Sequence, residues 1–426
     1  MHLALFFDMR GVNMEVYKYS DEKFKSIYIS YNITCEVKDT AIYSNYSVLG
    51  ALLAKGSVNY PSQKAIEKAM ANLYGANFHA NVEKNGDLYN IEFVFEFINK
   101  EFLPDNEELV DKILDFMEDI LYNPLDWKDE NIQREKEFIL ERIKERKDDK
   151  LKYGLNRMEE LLCQGEPFGN FLYGDEKSVI SINKDVLKKS YEEIKKFPVT
   201  VIVSGNLKGY ENIDDKIKEK LSKYTTDRSI TELIANVSNN SMKNFEELSE
   251  YVDTAQSVVS LGYRINGATN KDYYALNMFN AILGTTPSSK LFQNVREKES
   301  LCYTIRSRYY RIKNLLIIFA GINKENYEKA ISTISKQVDD MKEGNISDIE
   351  FNTAKDSLIA EIDTMKDLKV GMLKLIFANL ITEKTPYITL DEYKEKMSAI
   401  TKEDVVRVAN MVDLEKIFFL GGEENA

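Results

Sequence analysis

Residues 287–303 of the chain are Pro-Ser-Ser-Lys-Leu-Phe-Gln-Asn-Val-Arg-Glu-Lys-Glu-Ser-Leu-Cys-Tyr. This stretch predicts an amphipathic helix, a turn and the start of a strand. Either Ser288 or Ser289 can cap the first amides of the helix. Leu291, Phe292 and Val295 form an apolar stripe at helical spacing, which indicates that this face of the helix is buried.

The composition describes a soluble globular protein with two to four domains. The chain has 426 residues, of which 43% are apolar and 30% are charged. The net charge of −13 argues against a nucleic-acid partner, and no apolar run is long enough to span a membrane. The three cysteines are odd in number and far apart, which favours a reducing compartment. We therefore expect a cytoplasmic protein.

The order of predicted elements repeats after roughly 220 residues, by the spacing of matching glycines and strands. Each half runs strand, helix, helix, hairpin, further helices and a closing strand. Residues 14–34 predict an amphipathic hairpin, because apolar residues alternate along 26–34. The fold class predicted is α+β, with two homologous domains that each have an antiparallel sheet and helices on one face. The predicted domains are 1–205 and 249–426, joined by a linker at 206–248 whose asparagines and serines at 236–241 indicate an exposed segment.

Metal-binding residues are scarce. The only histidines are His2 and His79, neither with a second histidine nearby, and no cysteine pair has metal-ligand spacing. We expect no metal and no cofactor in this chain, and we interpret His79 as a structural residue of a strand.

Arg296 and Tyr303 are the candidate functional residues of the opening stretch. On residue type alone, the interpretation that neither residue has a functional role is favoured. Arg296 lies among Glu297, Lys298 and Glu299 and would be solvated. Tyr303 is one of 25 tyrosines and could be an ordinary strand aromatic.

The run from Ser289 to Tyr303 closely resembles a signature of the pitrilysin, insulinase and mitochondrial processing peptidase family, the inverzincins. The family motif is Ser-x-Leu-Phe-x-x-Val-Arg, followed after four residues by Leu-x-Tyr, and the resemblance extends over nearly the whole chain. The segments Tyr60-Pro-Ser and Leu73-Tyr-Gly-Ala-Asn-Phe resemble the bacterial YmfF-type subgroup, in which a zinc-less chain accompanies a zinc-bearing one.

The resemblance also implies that the zinc motif is degenerate. Active members bind zinc through His-x-x-Glu-His on the first long helix, which ends in a Lys-Gly pair. Here that pair is Lys55–Gly56. Counting back from it puts Ser47, Gly50 and Ala51 at the positions of the first His, the Glu and the second His. The third ligand position, on a later helix, falls at Arg142, whose positive charge would oppose a cation.

The resemblance therefore implies a non-catalytic subunit of a heterodimeric zinc metallopeptidase, not a peptidase alone. In the family's two-subunit enzymes, an Arg/Tyr pair of the zinc-less chain reaches substrate at the partner's site. Arg296 and Tyr303 would be that pair. The implied partners are a zinc-bearing chain with His-x-x-Glu-His and a peptide or protein substrate, and a homodimer of the isolated chain is left open.

Two alternatives remain. The chain could be a peptide-binding or scaffold protein of the same fold with no catalytic contribution. It could also be an independent enzyme, but the sequence has no phosphate-binding glycine loop, nucleophile elbow or Cys/His pair to support one.

Overall fold

The computed structural model describes residues 14–104, 108–223, 228–233, 245–252, 254, 256–386 and 389–422. The strands are β1 (Met14–Ser20), β2 (Ser26–Glu36), β3 (Asn77–Asn85), β4 (Leu88–Ile98), β5 (Val199–Gly205), β6 (Glu246–Tyr251), β7 (Ser257–Ile265), β8 (Cys302–Tyr310), β9 (Leu315–Ile322) and β10 (Val412–Gly421). The α-helices are α1 (Ala41–Leu53), α2 (Gln63–Asn72), α3 (Val110–Tyr122), α4 (Asp129–Glu145), α5 (Lys150–Leu162), α6 (Glu176–Ser181), α7 (Lys184–Ile194), α8 (Ile213–Leu221), α9 (Tyr273–Asn280), α10 (Tyr327–Lys342), α11 (Asp348–Lys366), α12 (Lys369–Thr382), α13 (Leu390–Ser398) and α14 (Lys402–Ala409).

The first sheet has the strand order β1-β5-β2-β4-β3 and is antiparallel except for the parallel edge pair β1–β5. The alternation seen in the sequence of β2 sets its orientation, since Ile27, Ile29, Tyr31 and Ile33 all enter one apolar core. The predicted hairpin of residues 14–34 is wrong. Strand β5 lies between β1 and β2 and pairs with both, so the polar turn after β1 joins two strands that are not neighbours.

The second sheet repeats this topology with the order β6-β10-β7-β9-β8, and its parallel pair is β6–β10. Each strand of the first sheet thus has an equivalent in the second, in the same relative place and direction. The internal repeat and the α+β fold class are confirmed.

We predicted helices on one face of each sheet. In the structure each sheet also has a helix on the opposite face. In the first sheet α12 packs on β5 and β2, and in the second α5 packs on β7, β9 and β10. Helix α5 packs closely on the second sheet because a glycine faces it. A Cβ on Gly154 of α5 would stand 2.7 Å from Val258 Cγ1. Gly262 of β7 likewise faces Met158 and Leu162 of α5 at a distance that leaves no room for a side chain.

These two helices explain why the compact units depart from the predicted domain boundaries. Helix α5 belongs with the second sheet although it comes early in the chain, and α12 belongs with the first sheet although it comes late. Within the predicted linker, α8 and the first residues of β6 are structured, while 236–241 lies outside the described residues. Of the described residues, the first unit contains those within 1–143, 170–235 and 365–387, and the second those within 144–169, 236–364 and 388–426.

Candidate functional site

The helix that carries Arg296 is Leu291–Lys298, which is wound as a π-helix and is anchored from two sides. Leu291 and Val295 are buried in the core of the second unit. Lys290, at its start, forms an ion pair of 2.9 Å with Glu350 of α11. Asn294 donates a hydrogen bond of 2.6 Å to Gln337 of α10. The backbone beneath Arg296 is therefore held by both apolar and polar contacts.

Two expectations for this helix are corrected. Neither serine caps it: the Ser289 hydroxyl is buried without a hydrogen-bond partner among the described residues, and that of Ser288 contacts Thr286. Phe292 is not a core residue like its predicted stripe partners, because its ring is half-buried and lies under the guanidinium of Arg296. An aromatic face under a cation is attractive, and this contact limits where the Arg296 side chain can point.

Tyr303 lies where β8 begins, and its side chain is 62% exposed. The pairing of β8 with β9 shifts register between Cys302 and Thr304, so Tyr303 occupies a β-bulge. A bulge takes a side chain out of the regular alternation of a strand and is a common way to aim one at a ligand. The exposure of Tyr303 follows from this local geometry.

The helix of Arg296 packs against β8, the strand that carries Tyr303. Burial raises the pKa of the Cys302 thiol to about 11, and the positive charge of Arg296 opposes that rise. The side chain of Arg296 is 41% exposed, and among the described residues its ion pair is a long one of 3.6 Å to Glu297. Both side chains can therefore reach an external group.

In the first unit, Ser47 lies on α1 with its side chain turned into the protein. Its hydroxyl donates to the carbonyl oxygen of Tyr43 at 2.7 Å and contacts the hydroxyl of Tyr89 at 2.8 Å. Burial raises the pKa of Tyr89 well above its usual range, and the hydrogen bond with Ser47 acts against that rise. The first zinc-motif position is thus part of a buried hydroxyl network.

Gly50 and Ala51 offer no donor atoms to a metal. Gly50 is buried against the sheet, where a Cβ would stand 3.4 Å from Ile91 Cγ2 and 3.8 Å from Val82 Cγ1. Ala51 is half-buried. A side chain at position 50 would therefore begin in van der Waals contact with apolar residues of the sheet.

Arg142 lies exposed on α4, with its guanidinium carbon 5.0 Å from the centre of the Phe138 ring. The same helix carries a feature that the sequence did not suggest: Glu135 is buried and accepts a hydrogen bond of 2.6 Å from Lys55. This ion pair joins α4 to the end of α1. Only a helical register for α4 combined with the Lys-Gly stop of α1 could have suggested it.

Zinc does not fit these positions. Zinc requires imidazoles and carboxylates as ligands. These positions instead hold the engaged hydroxyl of Ser47, Gly50 and Ala51 without donor atoms, and the guanidinium of Arg142. Over the described ranges, no group of three His, Cys, Asp or Glu residues has the geometry of a metal site. His79 lies on β3 and pairs with Val94 of β4.

The duplicated α+β fold resembles that of zinc metallopeptidases, but the residues at the zinc-motif positions do not suit zinc, as in inactive homologues. Residues 181–358 match the family model described as the Peptidase M16 inactive domain. The family resemblance inferred from the sequence is thereby confirmed.

Three known proteins show the same relationship. The chain is 26% identical to the probable inactive metalloprotease YmfF of Bacillus subtilis, over 95% of both chains. It is 23% identical to the uncharacterized zinc protease YmxG of the same organism, over 72% of this chain and 74% of that protein. A solved structure of a conserved protein from Enterococcus faecalis superimposes with a TM-score of 0.87 at 25% identity, over 96% of this chain and 97% of the other.

Among the described residues, no helix combines the length and the hydrophobicity that crossing a membrane requires.

Proposed function

We propose that this chain is the zinc-less subunit of a two-chain zinc metalloendopeptidase, and that it helps to enclose and orient a peptide at the partner's active site. The observation that carries the proposal is a contrast within one molecule. Ser47 and Gly50 are buried in the first unit, whereas Arg296 is partly exposed and Tyr303 is exposed in the second. Zinc does not fit the described motif positions, so the pair would act at the metal of another chain.

The chemistry of the two side chains suits a role at another chain's zinc. A guanidinium can hold a peptide carbonyl or carboxylate through two directed hydrogen bonds. A tyrosine hydroxyl can donate to the oxygen that becomes negative as the scissile carbonyl turns tetrahedral. Arg296 would thus orient the substrate, and Tyr303 would stabilise the transition state.

The relatives support a partnership. The chain is similar both to a protein named as an inactive metalloprotease and to one named as a zinc protease, and the two come from one organism. A zinc-bearing relative with His-x-x-Glu-His is the partner that we propose. We place both chains in the cytoplasm of a bacterium, which is consistent with the three buried cysteines of this chain, which form no disulfide.

Co-expression tests the proposal. The chain alone should not cleave peptides, and cleavage should appear when a zinc-bearing relative from the same genome is added. Replacing Tyr303 with Phe should lower kcat about 100- to 1,000-fold, in the range expected for loss of one donor to a developing oxyanion. Arg296→Ala should lower kcat/KM about tenfold. Lys298→Ala, on the same helix, and Tyr251→Phe, on an exposed tyrosine of β6, are the matched controls and should change neither.

The alternative is a scaffold or peptide-binding protein of the same fold. It predicts a stable complex whose cleavage rate is unchanged when both Arg296 and Tyr303 are replaced. That result would refute a role of this chain at the partner's active site and would favour the scaffold function.

A further inference from the structure

Three departures from regular backbone geometry fall within the short stretch that carries Arg296 and Tyr303. The helix Leu291–Lys298 is wound as a π-helix, Ser300 has a φ of 52°, and β8 has its bulge at Tyr303. Each departure costs regular hydrogen bonding or conformational energy, and such departures collect at functional sites. Their concentration around two candidate residues indicates that the path of the backbone matters there.

Ser300 has the backbone conformation that is usual for glycine at the end of a helix. Its φ of 52° lies in the left-handed region, which is unfavourable for a residue with a Cβ. The amide of Ser300 donates to the carbonyl oxygen of Arg296 at 3.1 Å. The next amide, of the buried Leu301, donates to the carbonyl oxygen of Val295 at 3.0 Å. These bonds fold the chain back onto the last turn of the helix, so the conformation of Ser300 sets the direction in which β8 begins.

The equivalent turn of the first unit has glycine at this place. There α2 is followed by β3, and the amide of Ala76 donates to the carbonyl oxygen of Met70 at 3.1 Å, the same spacing along the chain as in the second unit. The residue before Ala76 is Gly75, with a φ of 75°, and Tyr74 before it also has a positive φ. The duplicated fold therefore accepts glycine in this turn, and the serine is found in the unit that carries the candidate pair. Since serine has fewer backbone conformations than glycine, Ser300 restricts the turn more strongly.

The helix and the strand on either side of this turn are packed closely together. They meet around Gly284, where a Cβ would stand 2.7 Å from Leu291 Cδ1 of the helix and 2.6 Å from Ser307 Oγ of β8. The Ser307 hydroxyl also donates a hydrogen bond of 2.7 Å to the side-chain oxygen of Asn280, at the end of α9. Because both elements are held in this way, the short turn at Ser300 is the part of the backbone that sets the path between them.

We propose that Ser300 is a positioning residue, whose left-handed conformation sets where Tyr303 lies relative to Arg296. Ser300 acts only through these two side chains, so its role rests on the proposed function. The side chain of Ser300 is exposed, and a replacement there acts on the backbone conformation and not on the packing of the core. A β-branched residue strongly disfavours a positive φ, whereas asparagine tolerates it and glycine adopts it freely. Substitutions at this position can therefore change the turn alone.

Alkylation of Cys302 in the isolated chain measures the state of the turn without an enzyme assay. Cys302 lies between Ser300 and Tyr303 and is buried, so its thiol should react slowly with N-ethylmaleimide. Ser300→Val should raise this rate about tenfold by opening the turn locally, while the rates of the buried Cys35 and Cys163 change by less than about twofold. Ser300→Asn is the matched control and should leave all three rates unchanged. No rise at Cys302 in Ser300→Val, or an equal rise at all three thiols, would overturn the proposal.

Cleavage by the two-chain enzyme measures the consequence for Tyr303, which lies beyond the turn. Ser300→Val should lower kcat about tenfold with a smaller change in KM, because a misplaced reacting group costs rate, while Ser300→Asn and Ser300→Gly should retain activity. In the Tyr303→Phe background, Ser300→Val should cost less than about threefold, since two residues that act through one group are not additive. An equal loss in both backgrounds would contradict action through Tyr303. Lys384→Val replaces another residue with positive φ, in the first unit, and should leave kcat unchanged.

The two measurements distinguish failure of this proposal from failure of the proposed function. If the two chains together cleave no peptide, or if Tyr303→Phe has no effect on cleavage, the proposed function fails. The alkylation rates then still decide whether Ser300 holds the turn. Thermal unfolding confirms that each variant is folded, and Ser300→Thr, which is β-branched but keeps the hydroxyl, replaces Ser300→Val if that variant does not fold.

Discussion

The guanidinium carbon of Arg296 lies 4.5 Å from the centre of the Phe292 ring, one helical turn earlier in the chain. The ring is half-buried and its helix is anchored through Asn294, so Phe292 is a fixed platform for a side chain that would otherwise sample many rotamers. This contact connects an apolar residue of the motif to the orientation of its arginine.

If that orientation serves substrate binding, Phe292→Leu should reduce the activity of the two-chain enzyme. A cation–π contact at an exposed site contributes about 0.5–1 kcal/mol, so kcat/KM should fall about two- to fivefold. Phe292→Tyr keeps the platform and should retain activity. An equal loss in both variants would mean that the ring does not position Arg296.

Restoring the glutamate of the zinc motif should be costly to stability. Because Gly50 is buried against Ile91 and Val82, Gly50→Glu would place a polar side chain against apolar residues of the sheet. We expect its free energy of unfolding to fall by about 2–4 kcal/mol. Gly50→Ala is the control: its methyl group fits at 3.4 Å, and it should be neutral or more stable by up to about 1 kcal/mol. Urea denaturation of both variants decides the matter.

Arg264 and Glu415 form a fully buried ion pair between β7 and β10, with Nε to Oε2 at 2.5 Å. Arg264 also donates to the carbonyl oxygen of Leu162 at the end of α5, at 2.8 Å. Arg264→Met should therefore lower the free energy of unfolding by about 3–5 kcal/mol, because it leaves a buried carboxylate without a partner.

Adding Glu415→Leu to Arg264→Met removes that unpaired charge and should recover part of the loss. The double-mutant comparison by urea denaturation measures the recovery. A double variant less stable than Arg264→Met alone would contradict this account.

The stability of the first unit should depend on pH through Glu96. Burial raises the pKa of this carboxyl group, but hydrogen bonds from Lys369 of α12 and from Ser26 outweigh it and hold the pKa below its usual range. A lowered pKa in the folded state stabilises the protein above about pH 4.3, and the contribution is lost as the pH falls through the folded value.

Glu96→Gln should therefore lower the free energy of unfolding at pH 7 by up to about 1 kcal/mol, since the pair is partly exposed. The difference from the unmodified protein should vanish near pH 3. Urea denaturation between pH 3 and 7 measures it, with Glu219→Gln on the exposed side of α8 as the control. A difference that does not change with pH would exclude Glu96 as its source.

The fold could be predicted from the sequence where local pattern decides it. The alternation in β2, the turn at Gly86 with its positive φ, and the Lys55–Gly56 stop of α1 all lie where expected. Which strands become neighbours was not predictable in the same way. Pairing of Met14 with Val199 joins residues far apart in the chain, and a short polar turn after β1 is compatible with a hairpin or with an inserted strand.

For the candidate site, the family resemblance pointed to Arg296, Tyr303 and the degenerate zinc positions, because these follow from a motif and a helical register, and their roles stay predictions. Contacts that depend on tertiary packing could not be predicted from the sequence. The bulge that exposes Tyr303 and the ion pair of Glu135 with Lys55 arise from β9 and from the end of α1 respectively. No local pattern encodes either of them.

The position of α12 has a consequence for synthesis of the protein on the ribosome. Every strand of the first sheet has been made once Gly205 emerges, but the helix that covers β5 and β2 begins only at Lys369. At about 5–20 residues per second, the nascent chain would expose that face for on the order of ten to thirty seconds.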